Sequence, residues 1–527
     1  MSNHLPEDEI VSQAATRPGA PGRIRWARWL VAGLTGVAGL AAVSGAAVAT
    51  GGSVPDELGS LGNAAKQLIT EGGRTTGDDS GGQDPGSRSG AEEPGRNDGK
   101  DHQGDERAVP CDADELIVAL VRANAGNGAT LKLAERCTYT LTAFAPLPTP
   151  PTANGPNGLP VITKPITIKG EGATIVRAAS ATPFRILEVG VGGDLTLRDL
   201  TIKGGSATTF AGGGGIRVDS GGKANLEGTD VVYNESSGPG GGIANFGITK
   251  IIGKADRGGA AAPSAEKTGP GQKPDGEDKD KYEGNEGEIS DNVGVVDGGG
   301  VHNNGFLTME NTSVRNNHVR GTGGILLTGS GGGVSNGRVA LLDGVSIHHN
   351  TADFRGGGVR GGNASTTQIK NSEISDNTAS SEGGGIFSDG DLHLEHSEVN
   401  HNTVGQRGGG IFNQIGQLVI EHSKITENTV RNEHGGGIYV GSGTVAVRWS
   451  QVDRNKAVGV TSQAGGIFNH GTLSLTESTV TRNVATLAPG GVFTNNNLVT
   501  VDQNTVIIKN RPTNCTGSDQ PVPNCFG

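Results

Sequence analysis

The chain of 527 residues predicts an all-β fold, a right-handed parallel β-helix in which short strands stack into successive coils. A Gly-Gly-Ile motif recurs at residues 383–386, 408–411, 435–438 and 465–467. Each unit closes on an asparagine, and these asparagines lie 25 to 28 residues apart, with one longer step of 33. They are Asn317, Asn350, Asn377, Asn402, Asn428, Asn455, Asn483 and Asn510. Self-similarity at this period is typical of a solenoid, whose units bury their apolar sides against one another.

Within each unit, apolar residues alternate with polar ones over a few positions, as in Leu392/Leu394 and Leu418/Ile420. Alternation over so short a run, bounded by glycine and asparagine, indicates half-buried strands rather than helices. Each repeat is therefore predicted to contain about three short strands, with a spacing of about 4.8 Å between successive coils.

The other recurring positions fit the corners of such coils. A serine stands five residues before the closing asparagine in five units, and a small hydroxyl suits a crowded interior corner: Ser372, Ser397, Ser423, Ser450 and Ser478. The glycine pairs permit positive φ or a close approach of two backbones. The asparagines suit a turn, because asparagine tolerates the left-handed conformation and can hydrogen-bond to its copies above and below.

The motifs at residues 408–413 and 465–469, which join Gly-Gly-Ile to Phe-Asn, resemble the GGA[ILV] and FxxN repeats of chlamydial polymorphic outer-membrane proteins. They are also similar to repeats of exported β-helix proteins of actinobacterial type. The resemblance covers the chain from about Val109 onward. It implies a β-helix, and it implies a role among adhesins, binding proteins or polysaccharide-active enzymes.

Composition narrows the class of partner. Hydrophobic residues make up 33% and aromatic residues 3% of the chain, and 92 residues are glycine, which suits a thin apolar column with many turns better than a compact core. The net charge of −12 argues against nucleic acid as a partner, since phosphate recognition requires a basic face.

The N-terminal region predicts export. Three arginines, Arg23, Arg25 and Arg28, precede an uncharged run over residues 29–50 that is long enough to cross a bilayer. It is either a signal peptide cleaved after residues 47–49 or an uncleaved anchor, so the protein is either secreted or a single-pass protein of the cell membrane. Residues 1–28 are then a cytoplasmic tail or n-region, and residues 51–107 a disordered spacer with too few apolar groups to form a core.

The β-helix is predicted over residues 108–527, with a disordered insertion at 253–286. Acidic residues at 112–115 followed by an apolar run to Arg122 predict a short helix that caps the open N-terminal edge. In an oxidising compartment, local pairing predicts the disulfides Cys111–Cys137 and Cys515–Cys525. A zinc site of four cysteines is not predicted, because no CxxC spacing occurs.

Three columns of residues are candidates for a site. The residue before the closing asparagine is polar or charged in six units, which fits either a ligand-contacting strip or a solvent-facing charge ladder: His349, Asp376, His401, Glu427, Arg454 and Arg482. An aromatic residue follows Gly-Gly-Ile in four units, as a strip that contacts a glycan or protein or as a stack packed along the wall: Phe387, Phe412, Tyr439 and Phe468. The pairs at 395–396 and 421–422 place Glu-His on two successive coils, too few for a metal site to be predicted.

Together these features predict an exported, non-catalytic β-helix that binds a polysaccharide or another cell-surface component. The alternative is a polysaccharide lyase or glycoside hydrolase on the same fold, and a structural spacer is a third possibility. No catalytic residue, cofactor or metal is predicted, because no unit presents several carboxylates side by side.

Overall fold

A computed structural model describes residues 106–144, 154–254, 287–322 and 329–527. They form an all-β parallel solenoid of about 13 turns with almost no helix. All strand pairs are parallel, and each strand pairs with the equivalent strand one coil away. The predicted all-β, coiled architecture is confirmed at this level.

Each complete coil has four strands rather than the predicted three, and these strands belong to three hydrogen-bonded sheets. We call each set of equivalent stacked strands a face. Face 1 consists of Leu187–Val189, Ile216–Val218, Ile243–Asn245, Val301–Asn303, Val334–Asn336, Val359–Gly361, Ile386–Ser388, Ile411–Asn413, Ile438–Val440, Ile467–Asn469 and Val492–Thr494. Face 2 consists of Glu106–Val109, Ala129–Leu133, Lys223–Glu227, Ile248–Ile252, Phe306–Glu310, Val339–Asp343, Thr366–Lys370, Asp391–Glu395, Gln417–Glu421, Thr444–Arg448, Thr472–Thr476 and Val499–Val501. The fourth strand escaped the sequence pattern because it contains only two or three residues.

Faces 3 and 4 complete the coil. Face 3 consists of Thr138–Leu141, Asp230–Val232, Glu288–Ser290, Ser313–Arg315, Ser346–His348, Glu373–Ser375, Glu398–Asn400, Lys424–Thr426, Gln451–Asp453, Thr479–Thr481 and Val506–Ile508. Face 4 consists of Ser206–Ala207, Glu235–Ser236, Val293–Val295, His318–Arg320, Thr351–Ala352, Thr378–Ala379, Thr403–Val404, Thr429–Val430, Lys456–Ala457 and Val484–Ala485. Two longer strands, Pro165–Arg177 and Asp194–Lys203, run through both face 2 and face 3.

The interior is a column of aliphatic side chains that repeats with the coils. Ile386, Leu394 and Val399 of one coil are fully buried, and so are Ile411, Ile420 and Ile425 of the next. Burying each such side chain contributes roughly 1.5–3 kcal/mol. Stacking in register is therefore required, because a slip by one residue would turn these side chains to the outside.

The closing asparagines form a continuous hydrogen-bonded ladder inside the solenoid. From Asn234 to Asn483, the side-chain Nδ2 of each donates to Oδ1 of the next at 3.0 Å. Asn510 then donates to Oδ1 of Asn514 at 3.2 Å. The serine column works in the same way, since the backbone N–H of Ser397 donates to Oγ of Ser423 at 3.0 Å. The predicted hydrogen bonding between copies is thus present, and it satisfies polar groups that would cost about 1–3 kcal/mol each if left unpaired.

The left-handed conformation lies one residue earlier than predicted. The residues before the asparagines, and not the asparagines themselves, have positive φ, for example 53° at His401 and 54° at Arg454. A second such corner precedes each serine, with φ of 47° at His396 and at His422. This arrangement leaves the asparagine side chain free to point inward along the axis while the preceding side chain points to solvent.

The glycine corner confirms a close backbone approach. A Cβ on Gly384 would stand 2.4 Å from the carbonyl oxygen of Gly409 in the next coil, and Gly383 has a φ of 66°. A larger residue at position 384 would therefore push successive coils apart.

Both ends of the described chain carry the predicted disulfides, Cys111–Cys137 and Cys515–Cys525. Helix α1 covers Ala113–Ala125, begins at an N-cap formed by Asp112, and buries Leu116 and Leu120. The predicted signal or anchor segment, most of the spacer and nearly all of the insertion lie outside the described residues. Among the residues that are described, no helix has the length and apolar character required to cross a membrane.

Candidate functional site

The outer side of face 1 carries one column of side chains that is charged or polar at one end and aromatic at the other. Because side chains alternate along a strand, the middle residue of each face 1 strand points away from the core. Stacked in register, these residues form an outer strip: Glu188, Arg217, Ala244, His302, Ser335, Arg360, Phe387, Phe412, Tyr439, Phe468 and Phe493. We call the first six the polar half and the last five the aromatic half.

The aromatic half is a continuous stack of five rings. Successive ring centroids are 5.4, 4.9, 5.0 and 4.4 Å apart from Phe387 to Phe493, and the rings are within 16° of parallel. Phe387 and Phe412 are almost fully buried, and the others are nearly so. This arrangement corresponds to the alternative of a stack packed along the wall.

Polar side chains from the neighbouring loops cover these rings. The guanidinium of Arg355 lies 4.7 Å from the Phe387 ring centroid, and that of Arg407 lies 5.6 Å from Tyr439. The imidazole of His434 stacks on Phe468 at 4.4 Å. The rings therefore offer little surface to a ligand in this conformation, and their contact with a glycan or protein stays a prediction.

The polar half begins at a buried ion pair. Arg185 is fully buried and donates to the carbonyl oxygens of Asn154, Gly212 and Gly213 at 2.8–2.9 Å. It also lies 3.0 Å from the Glu188 carboxylate. Burial lowers the pKa of Arg185 to about 10, so it remains charged at neutral pH.

Glu188 is held ionised in this network. Burial would raise its pKa, but hydrogen bonds from Asn154 and Asn157, together with the charge of Arg185, lower the pKa below its ordinary value. Every strong donor and acceptor of this pair is matched, so the network fixes the positions of Asn154 and Asp219 at the edge of the strip.

Arg217 and Asp219 form the next layer. Arg217 Nε donates to Asp219 Oδ1 at 2.7 Å, and its guanidinium lies 4.4 Å from the Phe246 ring centroid. Burial raises the pKa of Asp219, with the charge of Arg217 opposing the rise. A cation and a carboxylate are thus presented side by side, and both are partly exposed.

Arg360 is the centre of the second charged group. Its nearest acidic partner among the described residues is Asp297, at 3.6 Å from Nη1, which is too long for a hydrogen bond. Burial raises the pKa of Asp297 and of Asp389, and the charge of Arg360 partly offsets both shifts. Burial and the charges of Arg360 and Arg217 lower the pKa of His302 to about 4, so its imidazole is neutral at physiological pH.

Two polar atoms on the floor of the polar half have no hydrogen-bond partner within the described part of the chain. They are Oγ of Ser335, which is fully buried, and Nδ1 of His302. Ser335 pairs with His302 on one side and Arg360 on the other in the strand register. Buried polar atoms are ordinarily satisfied, so unpaired ones beside an under-used guanidinium mark a place where a ligand could bond.

The six polar and charged residues before the asparagines lie at the corner between faces 3 and 4, away from this strip. His401 Nε2 lies 2.9 Å from Glu427, which in turn accepts from Arg454 Nε at 2.7 Å. Arg482 pairs instead with Asp453, at 2.6 Å. His349, Asp376 and the other four follow one another along the axis, and the ion pairs of His401, Glu427, Arg454 and Arg482 fit the charge-ladder interpretation.

The Glu-His pairs form a third column at the corner between faces 2 and 3. His396 stacks on His422, and His422 on Trp449, each at 5.0 Å. Glu395 pairs with Lys370 at 2.7 Å, and Glu421 with Arg448 at 2.9 Å. Within the described ranges no group of three or more histidine, cysteine or acidic residues is arranged to hold a metal ion.

The polar half could have been found in the sequence from the aromatic column. The same position after Gly-Gly-Ile/Val holds Arg217, His302, Ser335 and Arg360 in the earlier units. The column is evident in the sequence only where it is aromatic, because the change from rings to charges conceals the shared register. The buried Arg185–Glu188 pair precedes the repeats and had no such signal.

In comparisons with known protein families, curated proteins and solved structures, no match to this chain was found.

Proposed function

We propose that this protein is an exported, cell-surface or secreted β-helix that binds a polysaccharide along the outer strip of face 1. The observation that carries the proposal is the polar half, where Arg217 and Arg360 lie in one column and the carboxyl groups of Asp219 and Asp297 lie beside them. From Arg217 to Arg360 the column spans four coil steps, or about 19 Å. A guanidinium donor with a carboxyl group beside it at each end of that length suits the hydroxyl groups of successive sugars.

Export of the chain is part of the proposal. It is supported by the apolar run at residues 29–50 in the sequence. The two disulfides agree with it, because such bonds persist in oxidising compartments outside the cytoplasm.

The test uses the full-length chain in mild detergent, with its disulfides intact, mixed with neutral and acidic bacterial and plant polysaccharides with and without calcium. Size-exclusion chromatography with light scattering follows both co-elution and polymer length. We expect co-elution of protein with intact polymer. Failure to co-elute with any polymer in the panel would overturn the proposal.

A matched pair of variants locates the binding surface. Asp219→Asn removes a charged acceptor from the edge of the strip, and we expect affinity to fall at least tenfold. Asp376→Asn removes a charge from the corner between faces 3 and 4 and should bind as the wild type does. Equal losses in both would place binding away from face 1.

A second candidate is hydrolysis of the bound polymer. It is favoured by Asp297 and Asp389, two carboxyl groups whose pKa values are raised and which both feel the charge of Arg360. A glycoside hydrolase requires a protonated carboxylic acid opposite a second carboxylate. If the wild type shortens the polymer and both Asp297→Asn and Asp389→Asn leave it intact, the activity is established at these residues. If both variants still shorten the polymer, the catalytic groups lie elsewhere.

A further inference from the structure

We infer that the polar half recognises an anionic group on the polysaccharide, the carboxylate of a uronic sugar or the phosphate of a phosphodiester-linked polymer, through Arg360 and Ser335. The inference rests on the proposed function and adds the chemical class of the ligand.

The state of Arg360 is the first argument. Its side chain is 25% exposed, and its contact with Asp297 at 3.6 Å leaves its N–H donors without a hydrogen bond among the described residues. By contrast, Arg185 and Arg217 have short bonds to acceptors of their own network. A guanidinium that is fixed on a strand yet unsatisfied is suited to a carboxylate or phosphate, which accepts two parallel hydrogen bonds.

The floor beneath Arg360 is the second argument. Ser335 Oγ and His302 Nδ1 are buried atoms without a partner in the described chain. Ser335 is the register neighbour of Arg360, one coil away. A hydroxyl donor beside a guanidinium suits an anionic ligand better than a neutral sugar hydroxyl, because the serine and the arginine can both donate to the oxygen atoms of the anion.

The surrounding charges explain why the anion must bind locally. The chain has a net charge of −12, so overall charge does not attract a polyanion and specific donors must bind it. Burial raises the pKa of Asp297 and of Asp389, which disfavours negative charge on the carboxyl groups that flank Arg360. Protonation of either would leave the positive charge of Arg360 less compensated when an anion approaches.

The experiment is isothermal titration calorimetry of the full-length chain with a matched pair of oligosaccharides, oligogalacturonate and its methyl ester, which differ only in the carboxylate charge. A glycerol-phosphate oligomer forms the second anionic arm. We expect an anionic oligomer to bind at least tenfold more tightly than the methyl ester, with an affinity that falls as salt is raised. The arm that binds more tightly identifies the source of the anion.

Three variants test the assigned residues. Arg360→Gln should lose tenfold or more in affinity for the anionic oligomer and little for the methyl ester. Ser335→Ala should lose several-fold in affinity while the unfolding midpoint stays at or above that of the wild type, since the hydroxyl removed has no partner in the fold. Arg454→Gln, which removes the same charge from the charge ladder, should leave the affinity for both the anionic oligomer and the methyl ester unchanged.

Equal affinity for oligogalacturonate, its methyl ester and the glycerol-phosphate oligomer would overturn the anion assignment and leave polysaccharide binding standing. No binding to any of them, or to the wider panel of polymers, would overturn both. Equal losses in Arg360→Gln and Arg454→Gln would show nonspecific attraction and would also overturn the assignment.

Discussion

The polar and aromatic halves of the outer strip share one backbone register but differ in how completely their side chains are satisfied. In the aromatic half, every ring stacks on its neighbour, and three cationic or imidazole side chains cover the stack. In the polar half, Arg360 lacks a close acceptor, and Ser335 and His302 retain unpaired atoms within the described chain. The same strand position thus holds a packed stack at one end and leaves polar atoms unpaired at the other.

This contrast suggests how a repeat scaffold acquires a site. A solenoid coil contacts only its neighbours, so a change in the outer residue of one unit leaves distant coils intact. Replacing rings with arginine, histidine and serine removes packing from a few coils, and the interior column of aliphatic residues remains to hold them. The stability of variants in the aromatic half can therefore be compared with that of variants in the polar half.

The largest effect is expected in the aromatic half. Phe412→Ala removes the ring between Phe387 and Tyr439 and leaves a cavity in the stack, which should cost about 3–5 kcal/mol. The midpoint of guanidinium-induced unfolding measures it, with Phe412→Leu as the conservative control. Ser335→Ala in the polar half should not lower the midpoint, and comparable losses in the two variants would remove the distinction between the halves.

A loss of roughly 3–5 kcal/mol is also expected for Arg185→Met at the start of the polar half, because the Glu188 carboxylate would remain buried without its cation. Adding Glu188→Leu should recover part of this loss, since the uncompensated charge is then removed. Circular dichroism during thermal unfolding reports both. If the double variant lost as much stability as the two single variants Arg185→Met and Glu188→Leu added together, the two residues would not be coupled.

An intermediate effect depends on pH. The pKa of His302 is about 4 in the folded protein, well below its ordinary value of 6.5. The unfolded chain therefore binds the proton more readily than the folded protein. The contribution of neutral His302 to the free energy of unfolding is full above pH 6.5 and is lost as the pH falls toward 4. The change is about 2 kcal/mol for a shift of this size with allowance for partial exposure.

The control for this pH effect is His302→Gln, which cannot titrate. The difference in unfolding midpoint between wild type and variant should move in favour of the variant as the pH is lowered from 7 to 4. A constant difference over that range would contradict the assigned shift of His302. Comparison with the variant also cancels the titration of Asp297 and Asp389, which both proteins retain.

The smallest effect is expected outside the strip. Arg454→Gln breaks the contact with Glu427, but the pair lies on an exposed corner, where such contacts contribute about 0.2–1 kcal/mol. The unfolding midpoint should change little, and less still in high salt. A loss near that of Phe412→Ala would mean that the charge ladder holds the coils together.

Much of the coil could be predicted from residue spacing. The asparagine and serine ladders, the aliphatic column and the glycine corner repeat along the chain because each copy stacks on its own equivalent. The two disulfides followed from local cysteine spacing in a chain that was predicted to be exported. These features depend on period and on short-range contacts, which a linear sequence displays directly.

The candidate site depends on relations that spacing does not display. How far the aromatic column is open to a ligand depends on what covers it, and that cover comes from loop residues such as Arg407, which lies over the Tyr439 ring. The loose pairing of Arg360 likewise depends on a few tenths of an ångström, because Asp297 lies 3.6 Å away, in ion-pair range but beyond hydrogen-bond distance. Periodic residues therefore determined the coil, whereas burial and the distances between coils separated a structural column from a candidate binding one.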